Sequence, residues 1–190
     1  MNILITNDDG VTSVGLHALA DSLREVGDVT VLAPNRNWSV SGHAKTLDEP
    51  LRLRSAYLPD VSNAFTTNGS PADCVVLGLL GALKKPIDLV VAGINTSNNL
   101  GYDVSYSATV AAATEAVIMG VPGIAISTLF HEDIGYGPAA QVGLQVVRQA
   151  VQHGLPPATL LNVNVPTITL DQMKGFEITR QCDSGHHQDD

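Results

Sequence analysis

Short unbroken apolar runs alternate along the chain with longer stretches in which apolar residues recur every three or four positions. Ile3, Leu4 and Ile5 form the first run. With no polar residue between them, they suit a strand over Asn2–Thr6 buried on both faces of a parallel sheet. From Val14 to Val26 the residues Leu16, Leu19, Leu23 and Val26 fall on one helical stripe, and Gly27 supplies a stop. Val29 to Ala33 is a second run, broken by Pro34. Ile87 to Ala92, Gly123 to Ser127 and Thr159 to Val165 predict three more core strands. Helical stretches separate them, over Val110–Met119, rich in Ala111, Ala112, Ala113 and Ala116, and over Ala139–His153, with Val142, Val146, Val147 and Ala150 facing in. Strand–helix–strand order repeated in this way predicts an α/β fold with a parallel sheet and right-handed crossovers.

The middle of the chain departs from this rhythm. Leu47 to Thr67 alternates in part and holds Pro50 and Pro59, which suits two short antiparallel strands. Asn68-Gly69-Ser70-Pro71 reads as a turn into a helix, with Ser70 as cap and Pro71 at the first helical position. The helix is expected to reach about Leu83, with Val75, Val76, Leu79, Leu80 and Leu83 inward and Lys84-Lys85 complementing its dipole. Phe176 to Thr179 suits a last short strand. Residues 1–180 form one expected domain, and 181–190 a polar tail whose His186 and His187 are expected to be solvated.

The polar residues gather where strands end. Asn7-Asp8-Asp9-Gly10 follows the first strand. It is ordinary turn chemistry. It is also a pair of adjacent carboxylates, which raise each other's pKa and favour a hard divalent cation between them. Its place at a strand's carboxyl end, where ligands bind in open α/β sheets, favours the metal site. The polar loop Pro34–Lys45, with Trp38, Ser39 and His43, follows the second strand; it is either a solvated loop or part of the same site. Gly93 to Asp103 follows the third. Ser105-Tyr106-Ser107-Ala108-Thr109 then opens a helix, which can bind an anion or simply be capped by a serine. The loop Leu129–Pro138, with His131, Glu132 and Asp133, lacks ligand spacing and reads as a solvated, lid-like loop.

Composition narrows the classes. Across 190 residues, 44% are hydrophobic and 15% charged, so the chain can build a core. A net charge of −9 excludes the basic footprint of a duplex nucleic-acid binder. Cys74 and Cys182 match no metal or redox spacing and suit a reducing, cytoplasmic compartment. No basic-then-apolar leader and no apolar run of membrane-spanning length is present, so neither secretion nor a membrane partner is expected.

Several motifs, in order, closely resemble the SurE (survival protein E) family: Asn7-Asp8-Asp9-Gly10, Ala33-Pro34-Asn35-Arg36-Asn37-Trp38-Ser39, Gly69-Ser70-Pro71-Ala72-Asp73-Cys74-Val75, Gly93-Ile94-Asn95 with Asn99-Leu100-Gly101, and Asp103 through Ala113. The resemblance runs from Met1 to about Arg180. It implies a Rossmann-like three-layer α/β/α fold with a mostly parallel sheet. It implies a 5′-nucleotidase-type phosphatase acting on nucleoside monophosphates with one divalent ion, Mg or Mn. The implied metal ligands are Asp8, Asp9, Ser39 and Asn95, of which Asp8, Asp9 and Asn95 are the catalytic set. The implied phosphate contacts are Ser107, Thr109 and Asn7. A small-molecule nucleotide partner and a homodimer or homotetramer follow from the same resemblance. Family members usually carry Asp at Asn35 and Gly at Val40 and Ala108, and they continue into a further strand and a tail that crosses to a partner subunit, a part apparently absent here.

The chemistry of these residues agrees. Carboxylate, hydroxyl and amide oxygens are hard ligands suited to Mg or Mn. Attack by a metal-activated water is preferred over attack by Asp8 or Asp9, since a metal-bound carboxylate is a poor nucleophile. The alternative is a weak or inactive nucleotide- or metal-binding relative, suggested by Val40, Ala108 and the short C-terminus. A dinucleotide-dependent oxidoreductase ranks low, because no Gly-x-Gly-x-x-Gly follows the first strand.

Overall fold

A computed structural model describes residues 1–182. The expectations for His186, His187 and the rest of 183–190 lie outside the described residues.

Seven strands form one sheet: β1 (Asn2–Thr6), β2 (Asp28–Pro34), β3 (Leu53–Ser55), β4 (Ala64–Thr67), β5 (Leu89–Asn95), β6 (Gly123–Thr128) and β7 (Leu160–Val165). Their spatial order is β3-β4-β2-β1-β5-β6-β7, parallel throughout except for the β3–β4 pair. The unbroken apolar runs are explained by burial on both faces. Ile3 and Ile5 of β1 join one cluster with Leu16, Leu19, Leu23, Ile126 and Leu144, while Leu4 between them joins another with Cys74, Val75, Val90 and Ala112. Helices α1 (Val14–Leu23) and α4 (Gly137–His153) cover the first face; α2 (Pro71–Leu77) and α3 (Ala108–Ile118) cover the second. The result is the three-layer, Rossmann-like arrangement. The alanines of α3 let it lie close to β6: a Cβ on Gly123 would collide with the Ala113 carbonyl.

Several expected boundaries move. Helix α1 ends at Leu23 rather than Val26, because Glu25 and Val26 donate to Ser22 and Leu23, three residues back, and tighten the last turn. The capping of α2 is as expected: Ser70 Oγ accepts from the Asp73 amide, Asp73 Oδ2 accepts from the Ser70 amide, and Pro71 opens the helix. The helix does not continue regularly to Leu83. It widens into a π-helical turn over Gly78–Ala82 and breaks at Gly81, whose φ is +95°. That change of phase leaves Leu80 exposed, not inward. Lys85 serves Asp28 at 2.7 Å instead of the helix dipole. The third core strand runs on past Ala92 to Asn95, so Asn95 belongs to the sheet. The short strand expected over Phe176–Thr179 is not formed; these residues have no partner strand among the described residues, and Phe176 and Ile178 face outward. Gln181, expected in the polar tail, donates to the Gly101 carbonyl at 2.7 Å.

Strand order places the site. From β1 the chain moves outward to β2, then later returns to lie on the other side of β1 as β5. The crevice beyond the carboxyl ends of β1 and β5 is therefore the point where the winding reverses. Among the described residues no helix is long and apolar enough to cross a membrane.

Candidate active site

Beyond β1 the chain makes a tight turn. Asn7 is wholly buried and its side chain closes that turn, Nδ2 donating to the Gly10 carbonyl at 3.1 Å and Oδ1 accepting from the Gly10 amide at 3.2 Å. One N–H and the oxygen of the amide thus close the turn that presents Asp8 and Asp9. Gly10 takes φ +101°, a backbone that only glycine adopts without strain.

Asp8 is buried and points at the start of α3, where Thr109 Oγ1 donates to its Oδ1 at 2.6 Å. Burial pushes the Asp8 carboxyl up, against the lowering effect of that hydrogen bond. Asp9 is pushed up to about 6 by burial first and by the neighbouring Asp8 charge second. Its Oδ2 is buried without a hydrogen-bond partner. Two raised carboxyls, one with an unpartnered buried oxygen, are a donor set that a cation would satisfy.

The strand-end loops converge here. The Trp38 amide donates to the Asp8 backbone carbonyl at 2.7 Å, which ties the segment that carries the exposed Ser39 to the turn after β1. Trp38 is half-buried with the Arg36 guanidinium 4.2 Å above its ring. From the other side β5 brings Asn95, three positions past Ala92, which pairs with Thr6. Asn95 Nδ2 is spent on the Ser97 carbonyl at 2.8 Å, so the amide oxygen is the end available to a ligand. Gly93 permits this path, because a Cβ there would strike the Ile126 carbonyl.

The start of α3 faces the same turn through Thr109. Ser107 caps α3, its Oγ accepting from the Val110 amide at 3.1 Å. By helix geometry the amides of Ala108 and Thr109 have no intrahelical acceptor. Ala108 is buried and regular as the first residue of α3. Val40, by contrast, holds φ +60° on the surface of the Ser39 loop.

Sequence reasoning missed two residues. Tyr136 precedes α4 and stacks on Phe130 with ring centroids 4.8 Å apart; burial first, and the Asp9 charge second, push its phenol up. Glu115, buried on α3, binds His43 and Lys45. An isolated acid in an alanine-rich helix gave no spacing signal. His131 and Asp133 form an exposed pair at 3.6 Å, away from any ligand cluster. Among the described residues no group of three or more His, Cys, Asp and Glu side chains is poised for a metal.

Comparison with known proteins gives a consistent picture. The family described as Survival protein SurE matches residues 3–188. A protein named 5′-nucleotidase SurE from Chloroflexus aggregans is 48% identical over 182 residues, covering 95% of this chain and 72% of its own. Another of that name from Pelobacter propionicus is 46% identical with the same coverage. The crystal structure of the SurE protein from Aquifex aeolicus superposes with a TM-score of 0.88 at 42% identity, over 95% of this chain and 72% of that one.

Proposed function

Since the chain belongs to the SurE family, we propose that it is a 5′-nucleotidase-type phosphatase that hydrolyses nucleoside monophosphates at the Asp8–Asp9 site. The observation that carries this is the Thr109–Asp8 hydrogen bond, which brings the start of a helix to the first of two adjacent carboxylates. An anion receptor beside two acids is self-defeating unless a cation lies between them.

One divalent ion, Mg or Mn, fits the donors. Asp8, Asp9, Ser39 and Asn95 supply hard oxygens, and the unpartnered Asp9 Oδ2 is a buried acceptor that a cation would satisfy. When bound, the ion would offset phosphoryl charge and acidify a water. The protein's own part is orientation. Thr109 donates to Asp8 Oδ1, the Ser97 carbonyl holds Asn95 Nδ2, and the Trp38 amide ties the segment that carries Ser39 to the Asp8 backbone. The hydroxyl of Ser107 and the amides of Ala108 and Thr109 would hold phosphoryl oxygens as charge spreads over them. Asp8 is buried and already hydrogen-bonded, which favours attack by water over attack by its carboxylate.

The inactive alternative finds no support. Ala108 keeps the helix start regular, and relatives that carry the nucleotidase name align along 95% of the chain. The same reading includes assembly as a homodimer or homotetramer and a cytoplasmic setting. Phosphate release from 5′- and 3′-nucleoside monophosphates, with Mn or Mg and with EDTA, tests the function. Turnover that needs the metal and disappears in Asp8→Asn is expected; turnover indifferent to EDTA overturns it.

A further inference from the structure

Segment 35–46 carries Ser39 without any helix or strand of its own. Few backbone bonds hold it: the Asn35 amide to Thr67 O at 2.8 Å, Trp38 to Asp8 at 2.7 Å, Gly42 to Tyr106 at 2.9 Å. The Ala44 carbonyl accepts from Ser70 Oγ at 2.6 Å, and the Thr46 amide donates to Asp73 Oδ2 at 3.0 Å. Against this sparse set stands one charged cluster. Glu115, with 3% of its side chain exposed, receives His43 Nε2 on one oxygen at 2.7 Å and Lys45 Nζ on the other at 2.8 Å.

A carboxylate this buried is strongly destabilising unless both oxygens are satisfied. Both of its partners come from the Ser39 segment. Glu115 also stands on the same helix, α3, whose first turn carries Ser107 and Thr109. The six residues from Thr109 to Glu115 span about 9 Å of rigid helix. One rigid body therefore holds the Asp8 carboxylate at its first turn and the far end of the Ser39 segment two turns later.

We infer that Glu115 is a positioning residue that clamps the Ser39-bearing segment onto α3 through His43 and Lys45, and so fixes the Ser39 hydroxyl relative to Asp8 and Asp9. It rests on the nucleotidase reading only for what Ser39 does there. A directional, two-pronged contact defines a loop's register more tightly than apolar packing of equal size, because each oxygen accepts one particular partner. Support of this kind behind a metal ligand is worth about 10–100-fold in metal affinity.

The chain's single tryptophan, Trp38, adjoins Ser39 and reports the segment directly. The test compares wild type, Glu115→Ala, Glu115→Gln and the double variant His43→Gln/Lys45→Met in the full chain. Acrylamide quenching of Trp38, Mn binding by calorimetry, and kcat and KM at saturating Mn are measured. The double variant changes no α3 side chain but strips a buried carboxylate of its partners, so a triple variant, His43→Gln/Lys45→Met/Glu115→Gln, which removes the charge as well, keeps the test decisive if either of the others does not fold. Trp38 should become more accessible to quencher and Mn binding about tenfold weaker. At saturating Mn kcat should largely recover, and Glu115→Gln should fall between wild type and Glu115→Ala. Wild-type quenching and wild-type Mn affinity in a folded double or triple variant, with only a lower melting temperature, overturn the proposal. A wild-type chain that binds no Mn overturns the nucleotidase reading alone, and Trp38 accessibility still decides the clamp.

Discussion

Thr109 Oγ1 donates to Asp8 Oδ1 at 2.6 Å, joining residues 101 positions apart at the mouth of the sheet's winding reversal. The bond does two things at once. It lowers the cost of an ionised Asp8 in a buried setting, and it joins the first turn of α3 to the carboxylate. Thr109→Val keeps the shape and removes the donor. Nucleotidase kcat/KM should fall about a hundredfold, the loss typical of one preorganised donor. Thr109→Ser should retain most of the activity, and equal losses in the two variants would assign the effect to packing.

The pair Asp8–Asp9 makes the metal-free protein's stability depend on pH in an unusual direction. Asp9's carboxyl is raised to about 6 from an ordinary value near 3.8. The folded state therefore holds a proton that the unfolded state has released. The contribution of Asp9 is present below the unfolded value and is lost as pH rises through the folded one, between about 4 and 6. Asp9→Asn lacks this loss. Without metal at pH 7 the variant should be more stable than wild type, by at most about 3 kcal/mol, and the gap should close toward pH 4. Urea unfolding of both proteins across that range measures it; a gap independent of pH contradicts the assignment.

Val40 occupies φ +60° with its side chain in solvent. A left-handed backbone costs a non-glycine residue about 1–2 kcal/mol, while glycine loses more entropy on folding. The net prediction for Val40→Gly is a gain of about 0.5–1 kcal/mol in urea unfolding, with nucleotidase activity kept. A loss of stability would mean that Val40 adopts another conformation in solution.

The fold was largely legible because its strands are buried on both faces. Runs such as Ile3–Ile5 and Leu89–Ala92 have no polar register to confuse them, and Ser70-Pro71 announces its cap without help from the rest of the chain. What the sequence hid was tertiary. Leu80 lies on the predicted stripe, yet the wide turn at Gly78–Ala82 rotates it outward. Lys85 looked like a dipole partner and instead meets Asp28, 57 residues away. At the candidate site, Asp8, Asp9, Ser39, Asn95 and Thr109 are legible only as polar residues near strand and helix ends; that Thr109 meets Asp8 is not. Asn7 was legible as a neighbour, but its engagement by Gly10 was not. Glu115 and Tyr136 carry no local pattern; only packing shows that one holds His43 and Lys45 and the other faces the Asp9 charge.

The central claim is that Asp8 and Asp9 share one divalent ion opposite the α3 helix start. Crystals of the full chain grown with Mn and phosphate, and measured at the Mn absorption edge, test it most directly. The account predicts one anomalous peak with oxygens of Asp8, Asp9, Ser39 and Asn95 about 2.0–2.3 Å away, and a phosphate between the ion and the amides of Ala108 and Thr109. Mn bound elsewhere, or a phosphate held at α3 with no ion at Asp8 and Asp9, would contradict it.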